Sequence, residues 1–175
     1  SAPFVTVNCT GVTPDQMEEM LFGREGADLG MELGLLEQAN GGVIYFDEIA
    51  DMPLGTQTKI LRVLVDQQFL RVGGSENVRV DLRVISSTNR SLEVEIEAKR
   101  FRQELFHRLN VVPISVPSLE DRREDIPLLA EYFIKECNSN QGLALRVLSD
   151  DASALMQTMV WPGNVRQLKN LIEGV

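Results

Sequence analysis

The stretch Gly41-Gly42-Val43-Ile44-Tyr45-Phe46-Asp47-Glu48 constrains the fold of this chain more than any other. Four apolar residues run unbroken between a glycine pair and two adjacent carboxylates. A short apolar run bounded by glycine predicts a strand buried on both faces, the pattern of a parallel sheet covered by helices. In open α/β sheets, ligands sit beyond the carboxyl ends of the strands. Two acids at such an end lose hydration unless they hold a cation or do chemistry; a plain strand running into an acidic loop is the alternative.

The chain has 175 residues, enough for one domain or for one with a small appendage. Its net charge of −9 argues against a face that grips nucleic-acid phosphates, which needs a basic surface. No apolar stretch is long enough to span a bilayer and no signal peptide opens the chain, so a cytoplasmic protein is expected. Cys9 and Cys137 lack metal-ligand spacing and read as reduced thiols, and the lone His107 cannot build a histidine metal site. Ser1-Ala2-Pro3 leads straight into an apolar strand pattern, and residues 168–175 stop inside a helical one. The chain therefore reads as a piece of a larger protein, truncated at both ends.

Residues 4–7 predict a strand ending at Asn8. Residues 13–22 predict a helix with Thr13 as cap and Pro14 at its first position. Residues 23–33 hold three glycines and read as a loop, followed by a short helical turn over 34–39 and the buried strand 43–46. A helix over 53–68 is expected to turn Ile60, Leu61, Leu64 and Val65 to one face. Residues 69–72 and 77–80 flank Gly73-Gly74-Ser75 as a hairpin. A strand over 82–87 ends at Thr88-Asn89, a helix spans 91–99, and Phe101, Leu105 and Leu109 stripe the next. Residues 111–116 read as an edge strand interrupted by Pro113. Everything after the charged connector 117–125 looks helical, over 126–138, 149–159 and 164–172, with Asn164 and Gln167 as a capping box. The organisation expected is an α/β part over residues 1–120 and a small helical part over 121–175.

Three predicted strands end in polar residues: Asn8, the Asp47-Glu48 pair, and Asn89. In a parallel sheet all three land on one edge. Strand-Asp-Glu is the Walker B pattern, in which Asp47 serves Mg²⁺ and Glu48 polarises a water; Mg²⁺ takes oxygen ligands, commonly one or two carboxylates plus substrate phosphates. Asn8 is then placed to hold Glu48, and Asn89 to read a γ-phosphate; helix caps or turn residues are the plainer reading of both asparagines. Six helical positions at about 100° each place Arg102 and Arg108 ~120° apart, off the apolar stripe. They are either solvated arginines or arginine fingers offered to a neighbouring subunit. Arg166 near a helix start gains nothing from the dipole, which fits a phosphate contact or simple exposure.

These residues resemble the AAA+ ATPases, and among them the central domain of σ54-dependent transcriptional activators of the NtrC/NtrX type. The resemblance rests on motifs in family order along nearly the whole chain. They are Pro3-Phe4-Val5-Thr6-Val7-Asn8-Cys9, Leu21-Phe22-Gly23, Gly41-Gly42 through Asp47-Glu48-Ile49, Arg71-Val72-Gly73-Gly74, Thr88-Asn89-Arg90, Phe101-Arg102, Arg108-Leu109-Asn110-Val111, Glu124-Asp125-Ile126-Pro127-Leu128-Leu129 and Trp161-Pro162-Gly163-Asn164-Val165-Arg166. It implies a P-loop-type α/β core with a parallel sheet flanked by helices and a helical lid. It implies that Asp47 and Glu48 form Walker B, Asn8 switches the glutamate, Asn89 is sensor I, Arg102 and Arg108 are trans-acting fingers and Arg166 is sensor II. It also implies ATP with Mg²⁺ held between subunits of a hexameric or heptameric ring, a hairpin around Gly73-Gly74-Ser75 that moves with nucleotide state, and σ54–RNA polymerase as target. DNA would be met only through a separate helix-turn-helix domain.

Two departures qualify the resemblance. No lysine of Lys59, Lys99, Lys135 or Lys169 follows a glycine, so the Gly-x-x-x-x-Gly-Lys-Ser/Thr phosphate cradle is absent and the chain alone is expected to bind ATP poorly and to be inactive. Where most members carry Gly-Ala-Phe-Thr-Gly-Ala, this sequence has Arg24-Glu25-Gly26-Ala27-Asp28-Leu29-Gly30-Met31-Glu32-Leu33, without the aromatic–threonine tip. Two functions follow as expectations. One is a ring ATPase acting at σ54 promoters. The other is a nucleotide-gated oligomerisation module of a DNA-binding response regulator that does not remodel σ54.

Overall fold

The structure, a computed structural model, describes residues 2–26, 30–141 and 147–174. The chain divides into two compact units, Ser1–Pro113 and Ile114–Val175.

The first unit is built on β1 (Phe4–Asn8), β4 (Gly42–Asp47) and β7 (Leu82–Ser86), hydrogen-bonded in the order β1-β4-β7. Both pairings are parallel, with Asn8 opposite Asp47 and Phe46 opposite Ser86. The connections are helical, as parallel crossovers require. α1 (Pro14–Phe22) and α2 (Leu35–Gln38) lie between β1 and β4; α3 (Leu54–Asp66) lies between β4 and β7. Thr13 precedes α1 as expected, and its N–H donates to Gln16 Oε1 at 3.3 Å. α4 (Leu92–Glu97) is capped by Ser91, and α5 (Gln103–Leu109) follows.

One face of the sheet, with Val7, Ile44, Phe46 and Leu82, packs into a core with Met17, Leu21 and Phe22 of α1, Leu36 of α2, Ile60 and Val63 of α3, and Leu105 of α5. The expectation of a strand buried on both faces is corrected: β4 alternates, with Ile44 and Phe46 buried and Val43, Tyr45 and Asp47 half-buried. On that second face Phe4 and Ile85 are exposed. α3 also departs from its predicted face. Val63 is buried in place of Val65, which is 62% exposed, and the buried face of the helix runs through Thr56, Gln57, Ile60, Val63 and Leu64.

Residues 23–33, read from the sequence as a loop, hold an antiparallel pair, β2 (Gly23–Gly26) and β3 (Gly30–Leu33); the 27–29 tip lies outside the described residues. Its base is a glycine neck. Gly23 sits at φ +70°, and a Cβ there would lie 2.2 Å from Glu32 O; one on Gly34 would lie 2.3 Å from Leu21 O. The expected hairpin is present as β5 (Gln68–Leu70) and β6 (Asn77–Arg79). Residues 111–116 do not form a strand. Val111, Val112, Ile114 and Val116 are exposed, and a strand needs a partner edge whatever its own propensity.

The second unit holds α6 (Ile126–Gln141), α7 (Asp150–Thr158) and α8 (Asn164–Gly174) after a 3₁₀ segment, Leu119–Asp125. Leu119, Ile126, Ala130, Phe133, Trp161, Leu168 and Ile172 form its own core. The Trp161 indole N–H donates to Met156 O at 2.9 Å, and Arg123 donates to Gln157 O and Met159 O, closing the end of α7. The predicted Asn164–Gln167 box is shifted by one residue. Gln167 Oε1 accepts from Gly163 N–H, while Asn164 Oδ1 accepts from Leu119 N–H at 2.7 Å.

Gly23→Ala is expected to lower stability by about 2–4 kcal/mol, since it adds left-handed strain to a backbone clash. Denaturant titration checks this, with Gly30→Ala, whose Cβ meets open space, losing only the strain contribution.

Candidate functional site

Parallel pairing brings Asn8, Asp47, Glu48 and Asn89 to one edge of the sheet, because β1, β4 and β7 all end there. The ladder continues past the strand ends: Cys9 N–H donates to Asp47 O, Ser87 N–H to Phe46 O, and Ile49 N–H to Ser87 O, each at 2.9–3.0 Å. The chain leaves β4 through Glu48, whose φ and ψ of 53° and 55° are left-handed. For a glutamate this costs about 1–2 kcal/mol, the kind of strain that clusters at functional sites. Glu48 Oε2 accepts from Asn89 N–H at 3.1 Å. Asn8 Oδ1 accepts from Thr10 N–H at 2.9 Å, so the asparagine closes a local turn and Glu48 is held by the Asn89 backbone.

Asp47 Oδ1 accepts from Ser87 Oγ–H at 2.7 Å and lies 3.1 Å from Tyr45 Oη; among the described residues Oδ2 has no hydrogen-bond partner. Asp51, in the 3₁₀ turn Ile49–Asp51, pairs with Arg90 at 2.7 Å and accepts from Thr10 Oγ1 at 3.0 Å, tying the ends of β1 and β7 together. The negative field of this acidic cluster reaches Cys9. Burial first, then Asp51 and Asp47, push its thiol from 9.0 up to about 12.

Hard oxygen donors, a free carboxylate oxygen and a negative field suit Mg²⁺. Among the described residues no cluster of three or more His, Cys, Asp or Glu could hold a metal by itself. Mg²⁺ is commonly held by one or two carboxylates plus substrate phosphates, so it does not require such a cluster.

Arg102 is not on the helix the spacing argument assumed. It is the N-cap of α5 in extended backbone, so the ~120° separation does not describe it. Arg102 Nε donates to Leu54 O at 3.3 Å and Arg108 Nη2 to Leu64 O at 2.8 Å, near the two ends of α3, and neither meets a carboxylate among the described residues. Gln57, missed from the sequence, sets this arrangement. Fully buried, it donates to Met52 O and Arg100 O and accepts from Arg102 N–H, at 2.7, 3.0 and 2.9 Å. A polar residue on the apolar face of α3 was the available signal. Arg100 is bidentate on Glu95 at 2.6 and 3.0 Å, and this holds the Glu95 carboxyl below its usual range. Arg166 lies in the second unit, exposed in the first turn of α8.

The second hairpin is tied to the first. Arg71 is bidentate on Glu37 at 2.9 and 2.7 Å and reaches Glu25 at 3.1 Å, while Glu25 N–H and Val72 N–H donate to Val72 O and Gly23 O. These carboxylates hold the Arg71 guanidinium above its ordinary range.

Gln57→Leu is expected to cost about 1–3 kcal/mol by stranding the buried Arg102 N–H and two carbonyls, measured by chemical denaturation. The depressed Glu95 carboxyl contributes stability that is present above the unfolded carboxylate value, near pH 4.3, and lost as pH falls through its lower folded value. Glu95→Gln therefore flattens the acid limb of a stability–pH profile.

Residues 1–115 match the family described as Sigma-54 interaction domain, and residues 120–175 the AAA+ ATPase lid domain. The chain is 54% identical over 172 residues to the nitrogen assimilation regulatory protein NtrX of Azorhizobium caulinodans, covering 98% of this chain and 38% of that protein. It is 46% identical over 173 residues to the DNA-binding transcriptional regulator NtrC of Escherichia coli K12, covering 97% of this chain and 37% of that protein. Crystal structures of Brucella abortus NtrX in complex with ADP and with ATP superpose with TM-scores of 0.91 and 0.90, at 55% and 54% identity; each covers 98% of this chain and 38% of that one. The chain thus spans under two-fifths of the length of these relatives. With its parallel α/β unit and helical unit in the same order, this chain belongs to the sigma-54 interaction domain family of AAA+ proteins.

Proposed function

We propose that this chain is the central nucleotide-handling module of a cytoplasmic bacterial transcription regulator, a response regulator of the two-component type. In the complete protein it binds and hydrolyses ATP between ring subunits to regulate transcription at σ54 promoters. The observation that carries this reading is the convergence of Asn8, Asp47, Glu48 and Asn89 beyond one edge of a parallel sheet. The names of the relatives as regulators, and the ADP and ATP in the Brucella structures, support it.

In this reading Asp47 holds Mg²⁺, which when bound neutralises charge on the nucleotide's phosphates. Glu48 orients the attacking water, Asn8 leaves its turn with Thr10 to switch the Glu48 side chain when nucleotide binds, and Asn89 donates to the γ-phosphate. Arg102 and Arg108 serve a neighbouring subunit's nucleotide in a ring of six or seven, and Arg166 serves its own. Residues 1–120 act as core and 121–175 as lid. DNA contact falls in this reading to a separate helix-turn-helix domain, which the net charge of −9 on this segment supports.

A second reading keeps the nucleotide and the ring but not σ54 remodelling. The β2–β3 hairpin favours it: each strand has four residues, and β2 is tied to Val72 at Gly23 and Glu25 and to Arg71 at Glu25. A short, tethered hairpin lacks the reach of the aromatic–threonine loop.

In the complete gene product, Glu48→Gln is expected to lower ATP turnover ~10²–10⁴-fold with ATP affinity little changed. Arg102→Ala is expected to lower turnover ~10³-fold or more. Mixing the two variants restores part of the turnover, because some interfaces then pair an intact Glu48 with an intact Arg102. A Glu48→Gln protein as fast as wild type sinks the site assignment. A σ54 open-complex assay separates the readings: complexes that require Glu48 support the first, and ATP-dependent assembly without open complexes supports the second.

A further inference from the structure

Asp47 carries a hydroxyl relay. Tyr45 and Asp47 project from the same face of β4, two residues apart. The parallel register sets Phe46 opposite Ser86, so Ser87 arrives beside Asp47, and its own N–H donates to Phe46 O at 2.9 Å. Three oxygens meet: Ser87 Oγ and Asp47 Oδ1 at 2.7 Å, Tyr45 Oη and Ser87 Oγ at 2.9 Å, and Tyr45 Oη and Asp47 Oδ1 at 3.1 Å. Two hydroxyl protons serve these three pairs. The shortest assigns the Ser87 proton to Asp47, leaving Ser87 Oγ to accept from Tyr45. Such a chain of hydroxyls polarises each member and strengthens the terminal bond to the carboxylate. The Tyr45 ring lies tilted by 31° to that of Phe4, with ring centroids 6.3 Å apart.

We propose that Tyr45 and Ser87 are positioning residues for Asp47, occupying Oδ1 and fixing the carboxylate so that Oδ2 is left for the divalent cation of a nucleotide complex. The proposal rests on the nucleotide-handling reading above. A free carboxylate rotates broadly about its terminal torsion, and a ligand that must be ordered on binding gives up affinity. Hydrogen-bond partners of metal-ligating carboxylates act in this way, and their loss typically costs 10–100-fold in metal affinity or activity. A purely mechanical pin between β4 and β7 would use the same contacts but would show in stability and not in cation affinity.

The test is Mn²⁺ binding to the complete gene product with ATP, followed by electron paramagnetic resonance, alongside thermal denaturation. Ser87→Ala is expected to raise the Mn²⁺ dissociation constant ~10-fold, Tyr45→Phe ~3-fold, and the pair by no more than ~30-fold. Thermal midpoints are expected to stay within a few degrees of wild type, and Ser87→Thr, which keeps a hydroxyl, to bind within about twofold. If Asp47→Asn weakens Mn²⁺ binding while the hydroxyl variants bind like wild type, the positioning role is overturned and the nucleotide reading stands. If affinity falls only in step with the thermal midpoint, or Ser87→Thr fails as Ser87→Ala does, the positioning role is also overturned. If Asp47→Asn binds Mn²⁺ as tightly as wild type, both readings fall.

Discussion

The in-register parallel pairing of β4 with β1 and β7 is the constraint on which the rest of the first unit depends. With Asn8 opposite Asp47 and Phe46 opposite Ser86, three strand ends stop at one level, and the backbone ladder carries Cys9, Ile49 and Ser87 past that level. A register slip of one residue would turn Asp47 into the core and bring Phe46 to the open face. The buried Ile44 and Phe46 forbid that slip, since it would move both out of the core they share with Val7 and Leu82. The core thus sets the polar edge: the same alternation that buries Phe46 holds out Tyr45 and Asp47.

A second layer of order runs through buried polar groups. Gln57 satisfies three backbone groups and joins α3 to the segment that leads into Arg102. Arg102 and Arg108 spend one donor each on carbonyls near the two ends of α3, and neither has a carboxylate partner among the described residues. Arginines held by backbone and not neutralised by acids keep donors for a ligand from outside. Arg71 is the opposite case, saturated by Glu37 and Glu25, and it acts as a clamp between two hairpins. The strain in Glu48 sits between these layers, supported by the Asn89 N–H on its carboxylate and by Asp51 N–H on its carbonyl.

The two functional readings share the sheet edge and part at the hairpins. Nothing in Asp47, Glu48 or Asn89 distinguishes a motor from a gated assembly, because both need a nucleotide between subunits. The second reading draws on the β2–β3 hairpin, since reach toward a partner depends on strand length and on how the strands are tied. The acidic balance of the chain agrees with both, as each leaves DNA to another domain.

By itself the sequence determined the parallel strands, the polar edge and the helical second part. These follow from local signals: an apolar run closed by acids, glycines at turns, caps before helices and spacing at helical period. Tertiary structure alone decided the rest, for physical reasons visible in particular residues. Residues 23–26 and 30–33 pair as strands although β3 is exposed throughout, because backbone bonds and a glycine neck hold them and side-chain pattern does not. Residues 111–116 have the right composition for a strand but pair with no strand among the described residues, and propensity alone does not make a ladder. Asn164 looked like a cap for its own helix and is spent instead on Leu119, 45 residues away. Tyr45, Ser87 and Asp47 form one polar unit only because the crossover between β4 and β7 returns Ser87, 40 positions further along the chain, beside Asp47. Contacts of that separation are set by register, and register is decided by the packed core, so the strand ends were legible in the chain while the geometry between them was not.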